Sequence, residues 1–369
     1  MIQHGFKVIE MSDLPANSPQ FSWRRVNVFD YTIETHPNCP IDGTPMETIA
    51  ALVSLTLDEK IRCACCPRCG LVGYIDRPSQ ADIDRYYAET WMGETVERAI
   101  AISRHIDSSP PNENAIDVMM SLPIDNSLTV LEIGCGYGRT INELQYAGFE
   151  NIDATEHCPA RAEAVRQVFG VNVTTDIPQK RYGLIISHHV IEHVADPVGL
   201  IMACAERQER QDWMIHSMPN FSGEPSMGVL FFLPHLWSFD RLSSFSMFAK
   251  YGYVCKHDAI SFETHLDRRT RFQVMQKCVQ PNERDLWGVK SFVEDAIDKL
   301  LYGLGLTLQR SVLTWQKDSD GAAWKSMPYA QQAAANNFPR SIVVEPPSPF
   351  ITDAPIEVQF PERVQMYVK

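Results

Sequence analysis

The sequence predicts an α/β protein built around a mostly parallel β-sheet, with a small cysteine-containing module in front of it. Between about residues 128 and 260, short apolar runs alternate with amphipathic segments, which is typical of strand–helix–strand units. Upstream of this region, Cys63, Cys65, Cys66 and Cys69 crowd into one short stretch. Such crowding indicates a local metal site rather than a disulfide framework, because the chain is neither small nor visibly secreted.

Composition limits the possible functions. The chain has 369 residues, a net charge of −13, 44% hydrophobic residues and 21% charged residues, which fits a protein of two domains or of one large domain with appendages. The acidic balance argues against a broad surface that binds nucleic acid, since phosphate neutralisation needs clustered Lys and Arg. No apolar stretch approaches the roughly 20 residues of a membrane span. With no basic segment followed by an apolar one at the start, we expect a cytoplasmic protein.

Changes in sequence character divide the chain into four segments. We expect a zinc-ribbon-like module at 1–80, a helical linker or cap at 81–122, a central α/β core at 123–265 and a C-terminal extension at 266–369. The extension is expected to complete the sheet, to cover the active site, or both.

Two tight turns in the first segment predict a zinc site. The second, Cys66-Pro-Arg-Cys69-Gly, has the spacing that lets two thiolates face one ion. The first turn offers Cys39, with His36 or Asp42 as the fourth ligand. Cys63 competes as a ligand, since Cys63-x-x-Cys66 has the same spacing. In the alternative interpretation, the ribbon has lost its metal and its thiols pack as small apolar groups.

Hydrophobic periodicity assigns the elements of the core and its flanks. The predicted strands of the core are LTVLEIG, FENIDATE, VNVTTDI, YGLIISHHV, WMIHSMP and YVCKHDAI. The predicted helices are QADIDRYYAETW, ETVERAIAISRHID, ENAIDVMMSL, RTINELQYAG, PARAEAVRQVFG, DPVGLIMACAERQER, DRLSSFSMFAKYG and SFVEDAIDKLLYGLGL. Near the C-terminal end we expect a long loop over 321–355 and strands in IEVQF and RVQMYVK, pairing with the edge of the sheet.

A glycine-rich turn follows the first strand of the core. The pattern Glu132-x-Gly134-x-Gly136-x-Gly138 lets the backbone turn sharply and come close to a ligand, with helix N–H groups facing it. A dinucleotide-binding fingerprint would need Gly at position 139, where this chain has Arg139.

This motif resembles the first motif of class I S-adenosylmethionine-dependent methyltransferases, and further elements resemble that family in order. The segment from Tyr182 to Pro197, YGLIISHHVIEHVADP, is similar to the family's fourth strand and following loop. PHLWSF, from Pro234 to Phe239, is similar to an element before its fifth helix. The N-terminal ribbon is also similar to an extension found in a subgroup that acts on small molecules and glycans. The resemblance implies a Rossmann-like, seven-stranded sheet.

The resemblance also implies which residues bind the cofactor. Glu156, after the second strand, corresponds to the carboxylate that accepts the ribose hydroxyls, with Asp153 as the alternative. Asp176 corresponds to the residue that accepts from the adenine amino group. The full implied set is Glu132, Gly134, Cys135, Gly136, Gly138, Glu156, His157, Asp176, Ile177, Ser187 and His188.

Four further residues are candidates for the chemistry itself: His189, Glu192, His193 and His235. The H-x-x-E-H spacing places the first three on one face of a helical turn. It resembles an E-x-x-E-H element that holds a divalent cation in ubiquinone-pathway O-methyltransferases and plant small-RNA methyltransferases. His189 replaces a glutamate of that element, so an ion softer than Mg²⁺ would suit the site. Without a metal, His189 or His193 would act as general base.

Taken together, the sequence predicts an enzyme that transfers a methyl group from S-adenosylmethionine to a hydroxyl of a small molecule or sugar. The alternatives are C-methylation of a keto sugar and an inactive fold that only binds a partner. Metal-dependent RNA 2′-O-methylation is disfavoured by the net charge of −13.

Overall fold

The fold comes from a computed structural model of the chain. The structure describes residues 31–54, 60–87, 95–108, 124–219, 235–263 and 268–278, together with four short strands nearer the C-terminal end. The predicted helices ENAIDVMMSL and SFVEDAIDKLLYGLGL and the predicted strand RVQMYVK lie outside the described residues.

The central feature is a seven-stranded, mostly parallel sheet, which confirms the predicted fold class. Its strands are β6 (Val130–Ile133), β7 (Ile152–Thr155), β8 (Asn172–Thr174), β9 (Leu184–His188), β10 (Trp213–Pro219), β12 (Tyr253–Glu263) and β13 (Arg268–Lys277). Their order across the sheet is β12-β13-β10-β9-β6-β7-β8. Strands β6 to β10 run parallel, whereas β13 is antiparallel to both of its neighbours.

Helices cross between these strands and flank them. The described helices are α1 (Gln80–Arg85), α2 (Val96–Asp107), α3 (Arg139–Tyr146), α4 (Pro159–Phe169), α5 (Pro197–Glu206) and α6 (Arg241–Lys250). Local sequence fixes where they begin. The α5 helix starts after Asp196, whose carboxylate accepts the Gly199 N–H, and proline occupies its first turn. The α6 helix starts with a reciprocal capping box between Asp240 and Ser243.

A second sheet contains the strands on either side of the turn from Cys66 to Gly70. Its strands are β2 (Glu47–Ser54), β3 (Lys60–Cys65), β4 (Val72–Tyr74), β11 (Trp237–Ser238), β16 (Ser341–Val344) and β17 (Ile356–Gln359), in the order β11-β4-β3-β2-β17-β16. Two smaller pairs join β1 (Ile33–Thr35) to β5 (Asp76–Pro78) and β14 (Trp315–Lys317) to β15 (Trp324–Ser326). The second sheet therefore combines strands from three distant parts of the chain.

The two large sheets share one hydrophobic core. Leu71 from the N-terminal segment, Ile185 from β9 and Phe248 from α6 belong to the same cluster of buried side chains. A separate cluster, which includes Ile141, Val165 and Ile215, packs against helices α3 and α4. The cysteine-rich segment is thus packed against the α/β core rather than tethered to it.

The C-terminal region departs from the sequence-based expectations. IEVQF does form a strand, but β17 pairs with β2 of the second sheet and not with the edge of the seven-stranded sheet. The region 321–355 contains β15 and β16, so the expectation of one long loop is wrong there. Strand β13 was not predicted, and it lies beyond position 265, where the sequence placed the end of the core. Its sequence RRTRFQVMQK has only three apolar residues, Phe272, Val274 and Met275, so it does not show the apolar run of a buried strand.

Candidate active site and metal centre

A cleft lies at the carboxyl ends of β6, β7 and β9. It contains about 880 Å³ of atom-free space, part of it open to solvent. The carboxyl edge of an open α/β sheet is where such folds bind ligands. The cleft is lined by Gln80, Ile83, Asp84, Tyr87, Gly134, Gly136, Glu156, His157, Arg161, His189, Val190, His193 and Val194.

The glycine-rich turn forms the floor of this cleft. Gly134 has a φ of +69°, and a Cβ there would lie 2.7 Å from the Val190 side chain. Gly136 has a φ of +55°, and a Cβ there would point into open space with no atom within 4 Å. The left-handed backbone and the open approach at Gly136 fit a ligand that rests directly on the main chain.

Glu156 is fixed beside this turn. One carboxylate oxygen accepts the Gly136 N–H at 2.9 Å and the other accepts the Cys158 N–H at 2.8 Å. The carboxylate therefore faces the cleft, where it is placed to accept hydroxyl groups. Asp153, the alternative, instead accepts the Tyr182 hydroxyl at 2.8 Å and pairs with Lys180 at 2.6 Å. It does not line the cleft.

The other residues implied for the cofactor divide into two groups. Glu132, Cys135 and Ser187 are buried beneath the cleft, while Asp176 and His157 are exposed. Of these five, only His157 lines the cleft. Gly138, Ile177 and His188 do not line it either, and the His188 ring contacts the Ser217 hydroxyl.

Glu132 has an unusual electrostatic environment. Burial raises its pKa to about 8, and the nearby carboxylates of Glu143 and Glu156 act in the same direction. Among the described residues, its Oε2 atom has no hydrogen-bond partner. Glu132 is therefore a buried carboxyl group below the glycine turn, in surroundings that favour its neutral form.

The predicted chemical residues do converge after β9. His189 has a φ of +51°, a left-handed conformation that costs energy for a non-glycine residue, and its N–H donates to the Ser217 carbonyl at 3.0 Å. This bend turns the imidazole toward Glu192, and Nδ1 of His189 lies 3.1 Å from Oε1 of Glu192. Nε2 of His193 lies 3.7 Å from the same oxygen.

Glu192 is the buried centre of this cluster. Burial by itself would raise its pKa, but the charge of His193, the hydrogen bond to His189 and the charge of His235 outweigh it and hold the pKa below its ordinary value. Its Oε2 atom has no hydrogen-bond partner among the described residues. Glu192, His193 and His235 each place one potential ligand atom within 4.8 Å of the others.

Two residues that contact the predicted site residues were not assigned to the site from sequence. Tyr87, which follows α1, could not be assigned from sequence to packing or to the site. Its hydroxyl is hydrogen-bonded to Nδ1 of His193 at 2.9 Å, and it lines the cleft. His216, on β10, was missed because a lone histidine in an apolar strand carries no motif. Its Nδ1 is hydrogen-bonded to the Ser187 hydroxyl at 3.1 Å, and burial lowers its pKa to about 4.

The cysteine-rich turns form a second candidate centre. Cys39, Asp42, Cys66 and Cys69 each place one ligand atom within 4.8 Å of the others. The two turns are alike in sequence, Cys39-Pro-Ile-Asp42-Gly43 and Cys66-Pro-Arg-Cys69-Gly70, and both glycines have left-handed φ values, +74° and +77°. Asp42 thus occupies the position in the first turn that Cys69 occupies in the second.

The remaining zinc-ligand candidates lie elsewhere. His36 is exposed and pairs with Glu34 at 3.3 Å. Cys63 lies on β3, where burial raises the pKa of its thiol to about 12, and it is not part of the four-residue cluster. Within the cluster, hydrogen bonds from the Cys39 and Cys69 thiols lower the pKa of Cys66 below that of an ordinary thiol. The donor set of three thiols and one carboxylate is chemically suited to zinc.

None of the described helices is long and apolar enough to cross a membrane.

Comparison with known proteins identifies the part of the chain that contains the first site. Residues 107–273 match a family of methyltransferase domains. No curated protein matches the chain. Similar solved structures include an S-adenosylmethionine-dependent methyltransferase from Mesorhizobium loti, with 13% identity over 47% of this chain and 100% of that chain and a TM-score of 0.38. Another is a magnesium protoporphyrin IX methyltransferase from Synechocystis with bound S-adenosylmethionine. It has 15% identity over 54% of this chain and 96% of that chain, and a TM-score of 0.38. The CcbJ methyltransferase from Streptomyces caelestis has 13% identity over 47% of this chain and 92% of that chain, and a TM-score of 0.36.

The matched segment contains the glycine turn, Glu156 and the loop that carries Glu192 and His193. The open backbone at Gly136 and the carboxylate of Glu156 fit the cofactor of such a domain. Residues 107–273 therefore correspond to a methyltransferase domain.

Proposed function

We propose that this methyltransferase acts on a hydroxyl group of a small molecule or sugar. The supporting observation is that one cleft is lined both by Glu156, at the cofactor end, and by His189 and His193, at the other. A hydroxyl is a poor nucleophile at neutral pH and needs a proton acceptor when it attacks the methyl group. An amine near its own pKa would need less help.

In the proposed mechanism, S-adenosylmethionine supplies a methyl group on a sulfonium centre, and the protein supplies alignment and a proton acceptor. Glu156 and the main chain at Gly136 bind and orient the cofactor. His193 accepts the hydroxyl proton, and the buried, charged Glu192 beside it stabilises the imidazolium that forms. Tyr87 holds the ring through Nδ1, which leaves Nε2 to accept the proton.

A second candidate is metal-assisted O-methylation at the same loop. The observation that favours it is the buried Oε2 atom of Glu192, which has no hydrogen-bond partner among the described residues, close to ligand atoms of His193 and His235. A set of two imidazoles and one carboxylate suits Zn²⁺, Fe²⁺ or Mn²⁺ better than Mg²⁺. A bound ion would lower the pKa of the acceptor hydroxyl.

We also propose that Cys39, Asp42, Cys66 and Cys69 hold one structural zinc ion. The paired turns and their buried thiols support this assignment. A closed four-ligand site stabilises a small module and leaves no position open for substrate.

The first experiment is calorimetric titration of the full chain with S-adenosylmethionine and S-adenosylhomocysteine, with metal content measured on the same sample. Micromolar binding and about one zinc per chain are expected. Small-molecule hydroxyl compounds and sugars are then screened with methyl-labelled cofactor, and the product is analysed for an O-methyl or a C-methyl group. A C-methyl product from a keto sugar would overturn the O-methyl assignment while keeping the proton acceptor.

Variants separate the two mechanisms. We expect His193→Gln to lose methyl transfer while retaining cofactor binding, and His105→Gln, on an exposed helix face, to retain both. A second metal equivalent that disappears in Glu192→Gln would establish the metal-assisted route. Failure of folded protein to bind either cofactor form would reject the proposed function and favour a domain that only binds a partner.

A further inference from the structure

The residues that follow His235 belong to the second sheet, whereas Glu192 and His193 lie on the loop after β9 of the seven-stranded sheet. Strand β11 begins at Trp237 and pairs antiparallel with β4, with Trp237 opposite Gly73 and Ser238 opposite Val72. The Tyr74 N–H also donates to the Leu236 carbonyl at 3.1 Å. His235 is therefore held at the end of an edge strand of the N-terminal sheet.

Trp237 simultaneously holds the loop that carries Glu192 and His193. Its main-chain N–H donates to the Glu192 carbonyl at 3.1 Å, and its indole N–H donates to the Val194 carbonyl at 2.9 Å. These two bonds flank His193 on both sides. The side chain is 1% exposed, so neither bond is replaced easily by one to water.

The N-terminal side of this contact is tightly packed. A Cβ at Gly73 would lie 2.3 Å from Cε3 of Trp237 and 2.7 Å from the Leu236 carbonyl oxygen. The Arg77 guanidinium also stacks on the indole, 4.6 Å from the ring centre. Strand β4 starts three residues after Cys69, so the same short segment carries a thiol of the candidate zinc centre and the strand that receives Trp237.

We propose that Trp237 is the positioning residue through which the N-terminal module sets the relative placement of His193 and His235. The module then forms part of the active site rather than an accessory to it. The inference rests on the proposed role of Glu192, His193 and His235 in the reaction, but it predicts a physical coupling that can be measured without an acceptor.

The test uses Gly73→Ala, which places a methyl group against the indole, and Trp237→Phe, which keeps an aromatic ring but removes the indole N–H. Gly183→Ala is the matched control, because its Cβ would also crowd a side chain, 2.7 Å from Leu128, at the opposite end of β9. Two quantities are measured in the full chain: hydrogen exchange of the amides of residues 189–194 and 235–239, and the NOE between the rings of His193 and His235, whose centres lie 4.6 Å apart.

For Gly73→Ala we expect at least a 10-fold loss of exchange protection at the His193 and Trp237 amides and a weaker NOE between the His193 and His235 rings. The dissociation constant for S-adenosylhomocysteine should change less than 3-fold. Trp237→Phe should give the same changes at smaller amplitude. Gly183→Ala should lower the melting temperature without changing the protection of these amides or the NOE.

Unchanged exchange protection and an unchanged NOE in both Gly73→Ala and Trp237→Phe would overturn the inference. So would equal changes in Gly183→Ala, since they would indicate general loosening of the fold. Absence of cofactor binding by the wild-type chain would reject the proposed function instead, and the exchange and NOE data would still decide whether the coupling exists.

Discussion

The Tyr87 hydroxyl lies 2.9 Å from Nδ1 of His193, although the two residues are 106 positions apart in the chain. Tyr87 follows the α1 helix of the N-terminal segment, whereas His193 belongs to the loop after β9. The contact fixes which ring nitrogen faces Glu192. Residues that orient a functional histidine in this way commonly contribute about 10-fold to 100-fold to its activity.

We therefore expect Tyr87→Phe to lower the rate of methyl transfer by about 10-fold, an estimate for loss of an orienting hydrogen bond. Calorimetry should show cofactor affinity within 3-fold of wild type. Tyr86→Phe is the control, because Tyr86 packs edge-on against Tyr87 but does not line the cleft. Equal losses in both variants would assign Tyr87 to packing alone.

Glu156→Gln should weaken S-adenosylhomocysteine binding by about 10-fold to 100-fold, which is the loss expected when a charged acceptor becomes neutral. The matched control is Asp153→Asn, on the strand that precedes Glu156, because the Asp153 carboxylate pairs with Lys180 and Tyr182 away from the cleft. It should lower the free energy of unfolding and leave affinity unchanged. Calorimetry on both variants decides between the two carboxylates.

His216 should make the protein less stable as the pH falls. Its pKa is about 4 in the fold against 6.5 for an ordinary histidine, because burial disfavours the charged ring. Between these values the unfolded chain binds a proton that the folded chain does not, so the free energy of unfolding decreases on acidification by up to about 1.4 kcal/mol per pH unit. Urea titrations at pH 6.5 and pH 4.5 should show this loss in wild type and a smaller loss in His216→Gln.

Glu132 should produce the opposite dependence. Its pKa is about 8 in the fold against an ordinary 4.5, so the folded chain keeps a proton that the unfolded chain releases. The free energy of unfolding therefore falls as the pH rises through this range, again by up to about 1.4 kcal/mol per pH unit. Relative to wild type, Glu132→Gln should gain stability between pH 5 and pH 8. The exposed Glu150→Gln should follow the wild-type curve.

Asp42→Cys should increase zinc affinity, since it gives both turns the same pair of thiolate ligands. Asp42→Ala should weaken zinc retention during dialysis against a chelator. His36→Ala should retain zinc as wild type does, because His36 pairs with Glu34 outside the cluster. Loss of zinc in His36→Ala but not in Asp42→Ala would reassign the fourth ligand.

Much of the core follows from local sequence. Strand β10 spans the predicted WMIHSMP run, and α4 lies between its first-turn proline and the left-handed Gly170, as the pattern PARAEAVRQVFG predicts. These elements are short-range features, in which periodicity and terminating residues determine the result. The glycine turn and Glu156 could likewise be placed at one edge of the sheet, because strands joined by helices bring their carboxyl ends together.

The parts that sequence could not provide depend on contacts between distant residues. Asp42 and His36 are equally near Cys39 in the chain, and only the matching geometry of the two turns separates them. His216 lies beside Ser187 because β10 pairs with β9. Tyr87 reaches His193 from its position after α1. The pairing of β17 with β2 joins residues about 300 positions apart, and local hydrophobic periodicity cannot predict which distant strands will pair.

That last pairing has a consequence for the order in which the protein is made. All strands of the seven-stranded sheet have been synthesised once residue 277 has left the ribosome. The second sheet must wait until β17 emerges, at residues 356–359. At ordinary rates of about 5–20 residues per second, β2 waits on the order of ten seconds or more for its partner strand. During that interval its edge is open to other chains, so this face is the place to look for aggregation in cells that make the protein quickly.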